Sequence, residues 1–174
     1  MLKFSQKIEV AANVLIVVVA MLIVGVLIEK YFIAAPGQNQ QARITPTVGK
    51  LVNLPGEEFT AREKTIVLAL QTTCQFCNES VPFYKRLIEE VKGKNINIIA
   101  VFPQSVEEGS AHLSQLGMVG MEVKQAPVSV LETSGTPTLI ITDQEGRVIN
   151  YWVGKLTSDK EMEVIQEINS EGEK

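Results

Sequence analysis

Apolar and polar positions divide this chain into two unlike regions. From Val10 to Ile28 the run VAANVLIVVVAMLIVGVLI carries no charge and one amide, Asn13. As a helix it would be about 28 Å long, close to the roughly 30 Å hydrocarbon core of a bilayer. It is apolar on all sides, unlike a surface helix, and longer than the ~7–15-residue apolar stretch of a secretory signal. It reads as a membrane-spanning helix within an N-terminal anchor, residues 1–33; the alternative is a signal peptide cut near Ala34-Ala35, which Ile33 and Pro36 disfavour. Lys3 and Lys7 flank one end against Glu9, while Glu29 and Lys30 flank the other. This bias points to a cytoplasmic N-terminus and a following domain outside the cytoplasm. Tyr31 and Phe32 follow the run, at the level of the headgroups. Residues 34–49 (AAPGQNQQARITPTVG) are poor in apolar side chains and read as a tether.

Residues 50–174 carry the alternation of a folded domain. Asn53, Pro55 and Gly56 supply a turn after Leu51-Val52, suggesting a short strand pair at its entrance. KTIVLALQ (64–71) and NINIIAVF (95–102) are short apolar runs that fit buried strands. Between them Val81, Tyr84, Leu87, Ile88 and Val91 recur at helical spacing up to Gly93. A second helix is expected over 107–116. TLIIT (138–142), the turn Asp143-Gln144-Glu145-Gly146 and a strand over 148–153 follow. Ser158 with Glu161 predicts a capping box before Met162, Ile165 and Ile168. This order of parallel crossovers followed by a terminal hairpin predicts an α/β sheet covered by helices.

Composition narrows the chemistry. The net charge is −4, and no basic stripe suits nucleic acid. There are two cysteines and one histidine, His112. That excludes a disulfide-stapled scaffold and leaves a tetrahedral zinc site one ligand short unless a carboxylate completes it. No flavin or nicotinamide motif is present, so no cofactor is expected.

Both cysteines lie in Cys74-Gln75-Phe76-Cys77, directly after a buried strand and at the start of a helix. A thiolate there faces unpaired N–H groups and the positive end of the helix dipole. This lowers the pKa of Cys74, and the thiolate is the attacking species. A three-residue offset lets Cys77 reach back within one turn to resolve a mixed disulfide. By itself the motif is also half of a metal site.

With Gly135-Thr136-Pro137-Thr138 added, the sequence resembles the thioredoxin superfamily. It is most similar to the membrane-anchored, extracytoplasmic thiol–disulfide oxidoreductases of bacteria, TlpA-like or redoxin-type. The matching parts are KTIVLALQ, CQFC, Pro82 in the following helix, GTPTLIITDQEGRVINYWVG and the last helix, together about residues 48–170. The resemblance implies a thioredoxin-like central mixed sheet flanked by helices. It also implies that Thr136–Pro137 is a cis peptide facing the cysteines, presenting the Thr136 backbone to an extended substrate beside Cys74. Pro82 is expected to kink the active-site helix. Phe76 is either an exposed substrate contact, the favoured reading, or a hydrophobic cover. His112 is expected on the surface of the second helix, and one of Tyr151 and Trp152 in the core. Two positions depart from the pattern. Thr73 stands where many relatives have Trp, and Leu68 where thioredoxins carry a buried acid. Glu79 could replace that acid only by turning toward the sulfurs; the preferred reading is a solvated residue.

The function expected is thus a membrane-tethered dithiol–disulfide exchanger, a single-pass protein of the bacterial cell membrane with an extracytoplasmic (periplasmic) domain. Its substrates would be cysteine-containing exported proteins, with apocytochromes as one example, and its electrons would come from a membrane partner. An oxidase or isomerase of folding proteins is the related alternative. A peroxidase is disfavoured because Gln71 stands where peroxiredoxins carry Thr. A non-enzymatic Cu(I) module using the two thiolates is the remaining alternative.

Overall fold

The structure, a computed structural model, describes residues 15–24 and 44–170. Of the expected span 10–28, the described residues 15–24 are helical, with exposed apolar side chains such as Leu15 and Met21. The remainder of that span lies outside the described residues, as does most of the expected tether. Among the described residues no helix is long and apolar enough to cross a membrane.

The domain contains five strands: β1 (Lys64–Ala69), β2 (Ile96–Phe102), β3 (Glu122–Gln125), β4 (Thr138–Asp143) and β5 (Val148–Val153). Their order in the sheet is β3-β2-β1-β4-β5. β1 pairs parallel to β2 and β2 parallel to β3, whereas β4 runs antiparallel to both β1 and β5. The four α-helices are α1 (Gln75–Glu79), α2 (Val81–Val91), α3 (Val106–Gln115) and α4 (Ser158–Asn169). The mixed sheet with its helices agrees with the expected thioredoxin-like arrangement.

β1 is central and buried along its whole length, which is why KTIVLA reads as an unbroken apolar run rather than an alternation. Its side chains divide between two cores. Ile66 and Leu68 meet Phe83, Leu87, Val164 and Ile168 from α2 and α4. Val67 and Ala69 face the opposite side, with Leu54, Phe59 and Leu131. Phe59 and Leu131 come from 3-10 turns at Phe59–Ala61 and Val128–Leu131. The crossovers β1–β2 and β2–β3 progress in one direction across the sheet. Right-handed connections therefore put their helices on the same face.

Several sequence expectations need adjustment. β3 was not anticipated, because EVKQ at a sheet edge has no apolar alternation to read. Its charges suit an edge, and Lys124 pairs with Glu57 at 2.7 Å. The strand pair expected near Leu51-Val52 is a single bridge from Leu51 to Arg147. The last helix has Thr157, not Ser158, at its N-cap, with no side-chain capping bond. The expected capping box therefore does not form, and Glu161 pairs with Arg86 of α2. The hairpin turn is as expected: the Asp143 carboxylate accepts from the N–H groups of Glu145 and Arg147 at 3.0 and 2.7 Å. One contact was invisible in sequence. Lys64 Nζ, although in β1, donates to the carbonyls of Glu167 and Ser170 at 2.7 and 2.6 Å. A cation at a helix C-terminus satisfies orphan carbonyls and the dipole together.

Candidate active site at Cys74 and Cys77

Cys74 occupies the N-cap of α1 in an extended conformation. Cys74 and Cys77 are joined in a disulfide, with their Cα atoms 5.2 Å apart. The two sulfurs differ in environment: Cys74 is half-buried, whereas Cys77 is 5% exposed and belongs to the core. The Cys77 N–H donates to Cys74 Sγ at 3.1 Å. In the reduced protein the same amide is positioned to stabilise a Cys74 thiolate, which favours the charged form.

Pro82 divides the helix that follows. α1 ends and α2 begins around Ser80, which lies between them with φ −87° and ψ −4°. Proline has no N–H for the carbonyl one turn earlier, so an uninterrupted helix loses a bond there. The Ser80 hydroxyl donates to the Phe76 carbonyl at 2.8 Å, closing the short first helix. The kink expected at Pro82 is thus a break between two helices.

Register brings the second half of the site to the first. Ala69 of β1 is opposite Thr138 of β4, so the residues after β1 meet those before β4. The Thr136–Pro137 peptide is cis, and the Thr136 carbonyl oxygen lies 3.4 Å from Cys74 Sγ. Pro137 is buried and its carbonyl accepts from Gly154 N–H at 2.7 Å. Thr133 Oγ1 and Thr138 Oγ1, 2.9 Å apart, close the loop from inside. Phe76 stands on the solvent side of α1, 56% exposed.

Charged groups near the disulfide are few. Glu79 accepts from Lys155 Nζ at 2.8 Å and from Gln75 Nε2 at 2.8 Å. The hydrogen bond from Lys155, then that from Gln75, holds its carboxyl below the usual range. Glu79 is therefore committed to Lys155 at the surface. Leu68 is 1% exposed and packs in the same core as Cys77, an apolar group where a buried acid was the family pattern. Behind Cys77 is a cleft of about 10 Å³, bounded by Cys77, Tyr84, Phe102 and His112 among others. Burial pushes the Tyr84 phenol up to about 12, partly offset by a hydrogen bond with Ser80. His112 is half-buried, edge-on to Phe102 with ring centroids 6.4 Å apart. Its expected surface position is thus corrected. The signal was available: residues 109, 112, 113 and 116 share a helix face, and Gly109 and Leu113 are buried. Trp152 is buried, while Tyr151 packs partly buried against the opposite core.

No protein-family model matches the sequence, and no curated protein matches it. Solved structures do. One is a Chlorobium tepidum protein assigned as the thiol:disulfide interchange protein DsbE, with 19% identity and a TM-score of 0.59 over 71% of this chain and 96% of that one. Another is the thioredoxin domain of a thiol-disulfide oxidoreductase from Bacteroides vulgatus, with 14% identity and a TM-score of 0.57 over 72% and 100%. A thiol-disulfide isomerase from Corynebacterium glutamicum has 17% identity and a TM-score of 0.55 over 74% and 96%. At such identities the likeness carries the fold: the chain is a thioredoxin-fold protein with a Cys74–Cys77 disulfide at the start of its first helix.

Proposed function

We propose that this protein is a membrane-tethered, extracytoplasmic thiol–disulfide oxidoreductase that exchanges disulfides with exported polypeptides through Cys74 and Cys77. The observation that carries this reading is the joined pair Cys74–Cys77, its outer sulfur 3.4 Å from the Thr136 carbonyl. In the reducing direction, the Cys74 thiolate attacks one sulfur of a substrate disulfide. The substrate S–S bond breaks, one substrate thiolate leaves and takes a proton from solvent, and a Cys74–substrate disulfide forms. Cys77 then loses its proton and attacks Cys74 Sγ, expelling the second substrate thiolate and leaving the Cys74–Cys77 disulfide. The substrate gains two electrons and the protein loses two. A membrane partner would return them. Thr136 and Pro137 would align an extended substrate beside Cys74, and Phe76 would contact it.

The run from Val10 to Ile28 supports a single-pass bacterial membrane protein. Protease added outside spheroplasts should then digest residues 44–170 without lysis; protection until lysis would reverse the topology. Apocytochrome cysteines before haem attachment are one example of such an exported substrate. An oxidase runs the same steps in the other direction, whereas an isomerase makes the first attack and is released by another thiol of the same substrate, with no net electron transfer; potential separates reductase from oxidase. Equilibrating the full chain in glutathione or dithiothreitol buffers should give a value near ~−270 mV for a reductase, whereas one near ~−120 mV identifies an oxidase. The Cu(I) reading gains no support from the site. Among the described residues no group of three His, Cys, Asp or Glu side chains comes together.

A further inference from the structure

The segment that leads into the domain lies against the loop carrying Thr136. The Ile44 carbonyl accepts from the Ser134 N–H at 3.2 Å. Pro46 is buried. The Gly49 N–H donates to the Val148 carbonyl at 2.8 Å, and the Val148 N–H donates to the Lys50 carbonyl at 2.9 Å. Lys50 also forms an ion pair with Glu132. Residues 44–50 therefore form a strap, bonded at one end to the edge strand β5 and at the other to the loop from Glu132 to Pro137. Ser134 is two residues before Thr136, a span of at most about 7 Å. Ile44 is thus carried to the neighbourhood of the atom that faces Cys74.

Three exposed apolar residues are tied to this loop or to Cys74: Ile44 through its carbonyl bond to Ser134, Val153 against Gly135, and Phe76 two residues after Cys74. Phe76 is 56% exposed, Ile44 56% and Val153 42%. Val153 Cγ1 is 3.7 Å from where a Cβ on Gly135 would stand. Among the described residues, Lys155 pairs with Glu79 and Lys50 with Glu132, and Glu108 accepts from the Thr72 hydroxyl at 3.5 Å. Exposed apolar side chains of this kind suit a peptide with apolar residues beside its cysteine.

We infer that Ile44 is a specificity-determining residue for substrate polypeptides. When a substrate cysteine is joined to Cys74, an apolar residue a few positions from it packs on Ile44, while Phe76 and Val153 cover its neighbours. The occupant is an extended, cysteine-bearing segment with apolar flanks. This rests on the exchange reading above. Ile44 belongs to the strap rather than to the sheet or its helices, so it can vary without changing the exchange chemistry.

The test uses the full-length chain in detergent, with wild type, Ile44→Ser and Ile44→Leu. Three disulfides are compared under turnover with a chemical reductant: hydroxyethyl disulfide, a cystine peptide with Leu on both sides of each cysteine, and the same peptide with Ser there. Wild type should show a KM for the Leu peptide about tenfold below that for the Ser peptide, a modest apolar discrimination. Ile44→Ser should raise the Leu-peptide KM about fivefold, leaving kcat and the hydroxyethyl disulfide rate unchanged, and Ile44→Leu should retain the preference. An unchanged Leu-to-Ser ratio in Ile44→Ser overturns the inference while leaving exchange intact. Failure of wild type to reduce even hydroxyethyl disulfide removes the exchange reading, and this inference with it.

Discussion

Cys74 Sγ and the carbonyl oxygen of Thr136 lie 3.4 Å apart, although 62 positions separate the residues. The sheet brings them together. β1 and β4 are adjacent and antiparallel with Ala69 opposite Thr138, so the C-terminal end of one strand and the start of the other open on the same edge. Cys74 follows Ala69 by one turn and a helix start; Thr136 precedes Thr138 by two residues. Every atom proposed to hold a substrate comes from these two exits, or from Ile44 and Val153 beside them.

The difference between the two sulfurs gives a directional prediction. Cys74 is half-buried and accepts the Cys77 N–H, while Cys77 is 5% exposed. On the proposed mechanism Cys74 is the attacking thiol, and Cys77 acts only on a partner already held at Cys74. Cys74→Ser should abolish exchange with a peptide disulfide. Cys77→Ser should still react and accumulate a mixed disulfide visible by mass on a non-reducing gel. Equal accumulation in both variants would show the order to be wrong.

Much of this arrangement was legible in the sequence, for identifiable reasons. Central strands buried on both faces appear as apolar runs, so β1, β2 and β4 could be read directly. The hairpin turn was announced by Asp143 and Gly146, whose φ of +79° suits glycine. The cysteine pair and the Thr136–Pro137 loop were legible only jointly, because neither is specific alone. What escaped were features set by tertiary neighbours. β3 is a strand because β2 offers it an edge, not because EVKQ favours one. The last helix starts at Thr157 rather than Ser158, and Glu161 pairs across to Arg86 of α2, a partner the sequence does not announce. Ile44 belonged to an expected tether, with nothing in the sequence to indicate that its carbonyl would meet Ser134.

Gly109 offers a test in which helix propensity and packing oppose each other. It lies inside α3, where alanine would ordinarily stabilise by about 1 kcal/mol. A Cβ there would stand 2.9 Å from Phe102 Cδ2 and 3.1 Å from Val123 Cγ1. Phe102 is fully buried in β2 and has little room to withdraw. Overpacking of this kind costs about 1–3 kcal/mol, so packing should win. Gly109→Ala is expected to lower the urea midpoint, with a net loss of about 1 kcal/mol. A rise in the midpoint would mean that α3 can move away from the sheet.

Lys64 should behave as a cap rather than as a strand residue. Burial pushes its ammonium down, opposed by the charges of Glu167 and Glu63, and its Nζ satisfies two carbonyls at the end of α4. Lys64→Met keeps the stem's apolar packing but leaves those carbonyls without a protein partner. Hydrogen bonds to charged groups contribute about 1.5–3 kcal/mol, and removal of the desolvation cost offsets part of that. The expected result is a loss of about 1 kcal/mol, with faster amide exchange confined to the last turn of α4. Uniformly faster exchange across the domain would argue against a local cap.

Tyr84 predicts how stability responds to alkali. Its ring is 4% exposed in α2, against the core that holds Cys77. Burial raises the phenol from its ordinary 10.0 to about 12 in the folded protein. The folded state therefore favours the protonated phenol. Its contribution is fully present below pH 10, where both states are protonated, and is lost as the unfolded chain ionises first. Between pH 10 and 12 the unfolded state binds fewer protons, so unfolding free energy falls with pH. The loss is about 1.3 kcal/mol at pH 11 and approaches about 2–3 kcal/mol above pH 12. Lys64 titrates in the same region with the opposite sign, since a lowered lysine pKa makes stability rise with pH. The measurement is therefore a difference. Urea midpoints of wild type and Tyr84→Phe, taken from pH 8 to 11.5, contain the same Lys64 contribution. Wild type should lose stability relative to Tyr84→Phe above pH 10, and the gap between them below pH 9 should be constant. Parallel curves across the whole range would mean that the Tyr84 phenol reaches solvent, and that the wall behind Cys77 is open on that side.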